Sequence, residues 1–146
     1  MSTQIWFLAL FCLSLAACGG GSGATPAVSQ VELTNAQESA YLRFDVEIAS
    51  DEVARRTGLM GHAALDSMHG LLIVLPAEGE TCITNQGVGF AIDAVFADST
   101  GQVVAVDSNI TAGDPTLRCH TAVRSILEVG GGEASAIQIG DHLLEL

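Results

Sequence analysis

The chain has 146 residues, and its seventeen acids against five basic residues give a formal charge of −12. Nucleic acid is excluded as a partner, since a polyanion is held by a basic face, and so is an electrostatic grip on anionic lipid. All five basic residues are arginine (Arg43, Arg55, Arg56, Arg118 and Arg124), so no lysine chemistry is available.

The first element is an uncharged apolar run, IWFLALFCLSL at residues 5–15. It is too short to span a bilayer as a helix and fits the apolar core of a secretory signal peptide ending in Ala16 and Ala17. Leu15-Ala16-Ala17-Cys18 resembles the bacterial lipobox. The resemblance implies that residues 1–17 are a lipoprotein signal peptide and that Cys18 carries diacylglycerol. Residues 2–4 carry no Lys or Arg, so only the amino terminus is positive; an ordinary signal peptide or a short membrane anchor is the alternative. GGGSGATPAVSQ at 19–30 reads as a flexible tether. Gly19 stands where Asp would signal inner-membrane retention, which by analogy points to the outer membrane and the periplasmic face.

Residues 31–146 are expected to form one domain. VELTNA at 31–36 suggests a short strand. YLRFDVEIAS at 41–50 alternates, with Leu42, Phe44, Val46 and Ile48 on one face, which predicts a half-buried strand. Ser50 is placed as the N-cap of a helix over SDEVARRTGLM, with Val53, Arg56 and Met60 along it and Gly58 ending or distorting it. HGLLIVLP at 69–76 predicts a buried strand closed by Pro76, and AEGE a turn. FAIDAVFAD at 90–98, the turn STG and the strand QVVAVDS form the clearest hairpin. NITAGDPTLRCH at 109–120 is expected as a loop, AVRSILEV at 122–129 as a strand, EASAIQI as one helical turn and HLLEL as the last strand. About seven strands and one main helix predict an α+β, β-rich fold: a mainly antiparallel sheet curled into a partly closed barrel, which avoids bare edges.

Several segments resemble one family in order. GLM at 58–60 follows the helix. HGLLIVL resembles the family's G-M-L-F-V-F strand, and NQGVGFAIDAVF at 85–96 its W-M-K-N-T-x-I-P-L-D-x-x-F segment. VRSILEVGGG and IGDHLL resemble its V-L-E-V-x-x-G and G-D-x-V. From about residue 42 onward the chain resembles the bacterial family called domain of unknown function 192. The resemblance implies a compact β-rich barrel with one helix, often exported, and supplies no activity. Thr57 and His62 stand near the family's arginine positions, Cys82-Ile83-Thr84 replaces Trp-Met-Lys, and two extra residues separate Asn85 from Asp93.

Cys82 and Cys119 form an even pair in an exported domain, which reads as a disulfide between the strand before Asn85 and the loop before AVRSILEV. The rival is a reactive Cys119-His120 site. His62 and His69 lie seven apart, but neither they nor His142 show metal-ligand spacing, so no metal or cofactor is expected. Met60 and Met68 read as core. Asp93 sits in an apolar strand opposite the face of Phe90, Ile92, Ala94 and Phe96, and a buried carboxylate needs a partner. Arg124, Arg56 and Asn85 are candidates for that role, either in a fold-specifying network or in a ligand-binding patch. Glu128 in ILEV has the same ambiguity. Two functions follow. One is a non-catalytic binding or accessory module for a small molecule or envelope protein, with a groove near Asn85, Asp93 and Arg124. The other is a small hydrolase or transferase using Asp93 or Glu128.

Overall fold

The computed structural model describes residues 28–146. The signal peptide, Cys18 and most of the tether lie outside the described residues. The first strand, β1 (Val28–Thr34), takes in Val28, Ser29 and Gln30, which the sequence reading assigned to the tether.

Seven strands make one sheet in the order β5-β4-β6-β3-β2-β1-β7. The others are β2 (Ala40–Ala49), β3 (His69–Ile83), β4 (Ile92–Ala97), β5 (Val103–Ile110), β6 (Arg118–Gly130) and β7 (His142–Glu145), with one helix, α1 (Glu52–Thr57). All pairings are antiparallel except β2 with β3. The sheet is therefore mixed, because α1 and its loop carry the chain across between these two strands. It curls until its two ends touch at the β4–β5 turn. There Leu143 N–H donates to Gly101 O at 2.8 Å and Val103 N–H to Asp141 O at 2.7 Å. Gly101 is required at this closure: its φ is +84°, and a Cβ there would lie 2.5 Å from Leu143 O. The result is a half-barrel.

Two apolar clusters follow from the alternation of the strands. Val31, Phe44, Leu72, Val95 and Leu127 fill the inside of the curl. Leu71, Ile73, Ala94, Phe96 and Ile126 face outward beneath Leu59 and Val88. Thus β4 is buried along its whole length, and its neighbours Asp93 and Ala94 point to opposite clusters.

The elements differ from expectation where local signals met tertiary ones. Asp51, one residue after Ser50, caps α1: its carboxylate accepts from Ala54 N–H at 2.9 Å. Gly58 does end the helix, at φ 50° and ψ −135°. Val53 is exposed, and Leu59 anchors this region instead. Strand β3 does not stop at Pro76 but runs to Ile83. Its register with β6 passes from Val74↔Ser125 to Gly79↔Val123, so Leu75 to Glu78 oppose Arg124 alone. Ala77 and Glu78 of AEGE belong to this bulge, and Gly79 resumes the pairing opposite Val123. Pro76 is tolerated because β2 pairs only with His69–Ile73, leaving this stretch without a neighbour on that side. Strands β5 and β6 reach into the expected loop as far as Ile110 and from Arg118. The EASAIQI segment makes turns, not a helix.

Candidate functional site

The predicted site residues do not form one group. Asn85 and Asp93 are fully buried and point into the protein. Asn85 donates through Nδ2 to the carbonyls of Phe90 and Thr111, each at 2.9 Å, and of Ile110 at 3.3 Å. It clips the loop before β4 to the end of β5. Asp93 finds no arginine. Its Oδ1 accepts from Asn109 N–H at 2.7 Å, and its Oδ2 accepts from the N–H groups of Gly132 and Ala134, both at 2.9 Å. Backbone amides satisfy this carboxylate, because the GGG turn after β6 folds back over it. Arg124 lies elsewhere, in a crevice beside Asp98, Thr100 and Leu144. The expected groove joining Asn85, Asp93 and Arg124 is therefore absent among the described residues.

Arg56 and Glu128 do meet at one place. The outer face of β3 and β6 carries a cleft of about 370 Å³, roofed by α1 and its Gly58 turn. Glu128 lies in its wall, on the outward face of β6, paired in register with Ala94. Asp93 pairs with Val129, so the two carboxyls lie on opposite faces of the sheet and cannot work as an acid–base pair. Glu128 is 5 % exposed. Burial alone pushes its carboxyl up to about 7. No hydrogen bond or ion pair engages it among the described residues. Gly58 leaves the room above it, since a Cβ at that position would lie 3.8 Å from Glu128 Oε2.

The two arginines at the cleft are turned elsewhere. Arg55 donates through Nη1 to the carbonyls of Ser50 and Val74. Arg56 bonds Glu52 at 2.8 Å, an exposed pair one helical turn apart. Apolar lining comes from Ile73, Ile83, Met60 and Leu117. Met60, expected in the core, is 44 % exposed, and Leu117 is 67 % exposed. Met68 packs half-buried against the inner cluster, as a core residue should.

Cys82 and Cys119 stand opposite each other in the β3–β6 register, with their sulfurs 2.02 Å apart, a bonding distance. Cys119 lies in β6 itself and not in the loop before it. Its neighbour His120 is directed to Asp107, with Nε2 to Oδ2 at 3.0 Å, and its ring packs on Phe96 at 4.3 Å. That arrangement leaves no Cys-His pair. Alkylation of Cys82 and Cys119 in the chain purified without reductant is expected only after reduction, read by peptide mass. Reduction should then cost roughly 4 kcal/mol of stability by loop closure. Labelling of either residue without reductant would overturn the bond.

His62 lies in another crevice, between α1 and β2, while His69 approaches Asp45 at 4.0 Å. Among the described residues no three His, Cys, Asp or Glu side chains converge as metal ligands would.

Sequence reasoning missed Arg55, Met60 and Leu117 as cleft residues. A signal was present: GLM and ILEV, two of the segments that carried the family resemblance, meet at this cleft.

A curled, mixed half-barrel with a small half-polar cleft beside the one helix of the described residues is the class of protein that the fold and site define. The chain belongs to the DUF192 family, described as an uncharacterized ACR, whose model matches residues 32–144. Two solved structures share the fold. One, from Sinorhizobium meliloti 1021, is described as a "putative transcription regulator"; it is 22 % identical, with a TM-score of 0.78 over 83 % of this chain and 95 % of its own. The other, a protein of unknown function from Novosphingobium aromaticivorans DSM 12444, is 20 % identical, with a TM-score of 0.76 over 84 % of this chain and 94 % of its own. No curated protein matches the chain significantly.

Proposed function

We propose that this chain is a lipid-anchored cell-envelope protein that binds a small molecule in the Glu128 cleft without transforming it. The anchor rests on the apolar run at 5–15, on Cys18 after Leu15-Ala16-Ala17, and on the Gly/Ser tether. In this reading the lipid holds the domain at the periplasmic face of the outer membrane. The observation that carries the binding role is the Glu128 carboxyl, 5 % exposed and unpartnered in the wall of a cleft. Its oxygens are not sealed off but open into the cleft, where a ligand donor can reach a carboxyl that no protein group engages. The volume suits a small ligand, at the lower end of small-molecule sites. Exposed Met60 and Leu117 offer it apolar contact. A hydrolase or transferase using Asp93 has little support, since backbone amides already saturate that carboxylate. One using Glu128 would lack a second carboxyl beside it.

The test is a fragment screen by amide NMR on the full chain in detergent micelles. Bound fragments are expected to shift Gly58, Met60 and Glu128 together. Hits that cluster elsewhere, or no hits, overturn the cleft as the site. An intact mass of the same membrane-extracted preparation should show Cys18 as the first residue, carrying a diacylglycerol; an unmodified Cys18 overturns the anchor.

A further inference from the structure

We propose that the Glu128 cleft takes a small amino acid, its ammonium directed onto the Glu128 carboxyl and its carboxylate turned outward to Arg56. This rests on the cleft being the binding site. Three observations lead to it. Glu128 is the wall group that no protein donor engages; it is an acceptor once ionised, and a cationic donor is the ligand group that favours that form. The ammonium group supplies three donors and a charge, which strengthens each bond in a desolvated site.

The second observation concerns α1, whose two arginines line the same cleft. Arg55 is tied to two backbone carbonyls. Arg56 is held only by Glu52, with the two side chains 80 % and 74 % exposed. A pair that open to solvent contributes little and is readily exchanged for a ligand carboxylate. The third is the apolar lining, Ile83, Met60 and Leu117, which suits a short methylene chain. The titratable groups that line the cleft with Glu128 are Arg55 and Arg56 of α1; β3 contributes Ile73, Ile83 and Cys82, the last bonded to Cys119. A bare amine would leave Arg56 unused, and a bare carboxylate would bring no donor to an ionised Glu128. An amino acid meets opposite charge at both ends.

The test titrates the full chain with γ-aminobutyrate, glycine, butylamine and butyrate, following the amides of Gly58, Thr84 and Glu128. The amino acid whose length fits should bind at least tenfold tighter than butylamine or butyrate. Glu128→Gln should remove that advantage, and Arg56→Ala should reduce it to the butylamine level. Both variants should keep the wild-type amide pattern away from the cleft. Butylamine binding as tightly as either amino acid overturns the proposal, as does butyrate binding indifferent to Glu128→Gln; both leave the cleft as a binding site. If none of the four shifts these amides, the amino-acid class falls, and the cleft itself falls only if the fragment screen is also blank there.

Discussion

Asp93→Ala is expected to be the most damaging single substitution in the described domain, costing about 4 kcal/mol or more. The carboxylate is fully buried and accepts three backbone N–H groups, from Asn109, Gly132 and Ala134. Removing it orphans all three, and each buried unsatisfied donor costs about 1–3 kcal/mol. A domain of this size has about 5–15 kcal/mol in total, so the variant should sit close to unfolding. Asp93→Asn keeps one acceptor oxygen but sets an NH₂ group against at least one N–H donor. Its cost should be smaller, about 2–3 kcal/mol. Urea denaturation of the full chain measures both. A loss below about 1 kcal/mol for the alanine variant would mean that the network does not hold the fold. The alternative, a ligand patch at Asp93, would have left stability nearly untouched.

Glu128→Gln should do the opposite, increasingly as pH rises above about 4.5 and fully above about 7. The Glu128 carboxyl titrates near 4.5 when unfolded and near 7 when folded, because burial disfavours its charge. Below 4.5 both states hold the proton and the group contributes no difference. Between 4.5 and 7 the unfolded chain has released a proton that the folded chain retains, so rising pH favours unfolding. Above 7 both states are ionised and the penalty is constant. Two and a half units correspond to about 3 kcal/mol. Glu128→Gln should therefore stabilise the protein by up to about 3 kcal/mol at pH 8, with the gain vanishing by pH 4.5. Thermal melts of both proteins across pH 4–9 test this. A gain that does not depend on pH would show that Glu128 is not held uncharged by burial. The same substitution is expected to impair binding, the trade expected where a destabilising group serves a site.

Much of the architecture was legible from local pattern. Alternation in YLRFDVEIAS and FAIDAVFAD gave β2 and β4, and the STG turn gave the β4–β5 hairpin. Strand number and the single helix came from the same rules. What misled was punctuation read as an ending. Pro76 stops a central strand, but here that side of the strand has no neighbour, so β3 continues through a bulge. Asp93 was recognised as a carboxylate needing a partner, yet arginines were proposed for a role that three amides fill. Those amides lie in segments 16 to 41 residues away in sequence. Backbone donors have no signature in a sequence, whereas arginines do.

The sequence by itself determined the composition-level exclusions, the family resemblance, the strand faces and the candidates Arg56 and Glu128. These depend on residue type and on spacing within one element, which period and chemistry encode directly. Only the tertiary structure decided which candidates meet. It buried Asn85 and Asp93 inside, sent Arg124 to another crevice, and set Glu128 unpartnered beneath Gly58. The reason is the register of β4, β6 and β3. A shift of one residue would exchange the faces of Asp93 and Glu128, and register is fixed by the packing of both apolar clusters together, which no local window contains.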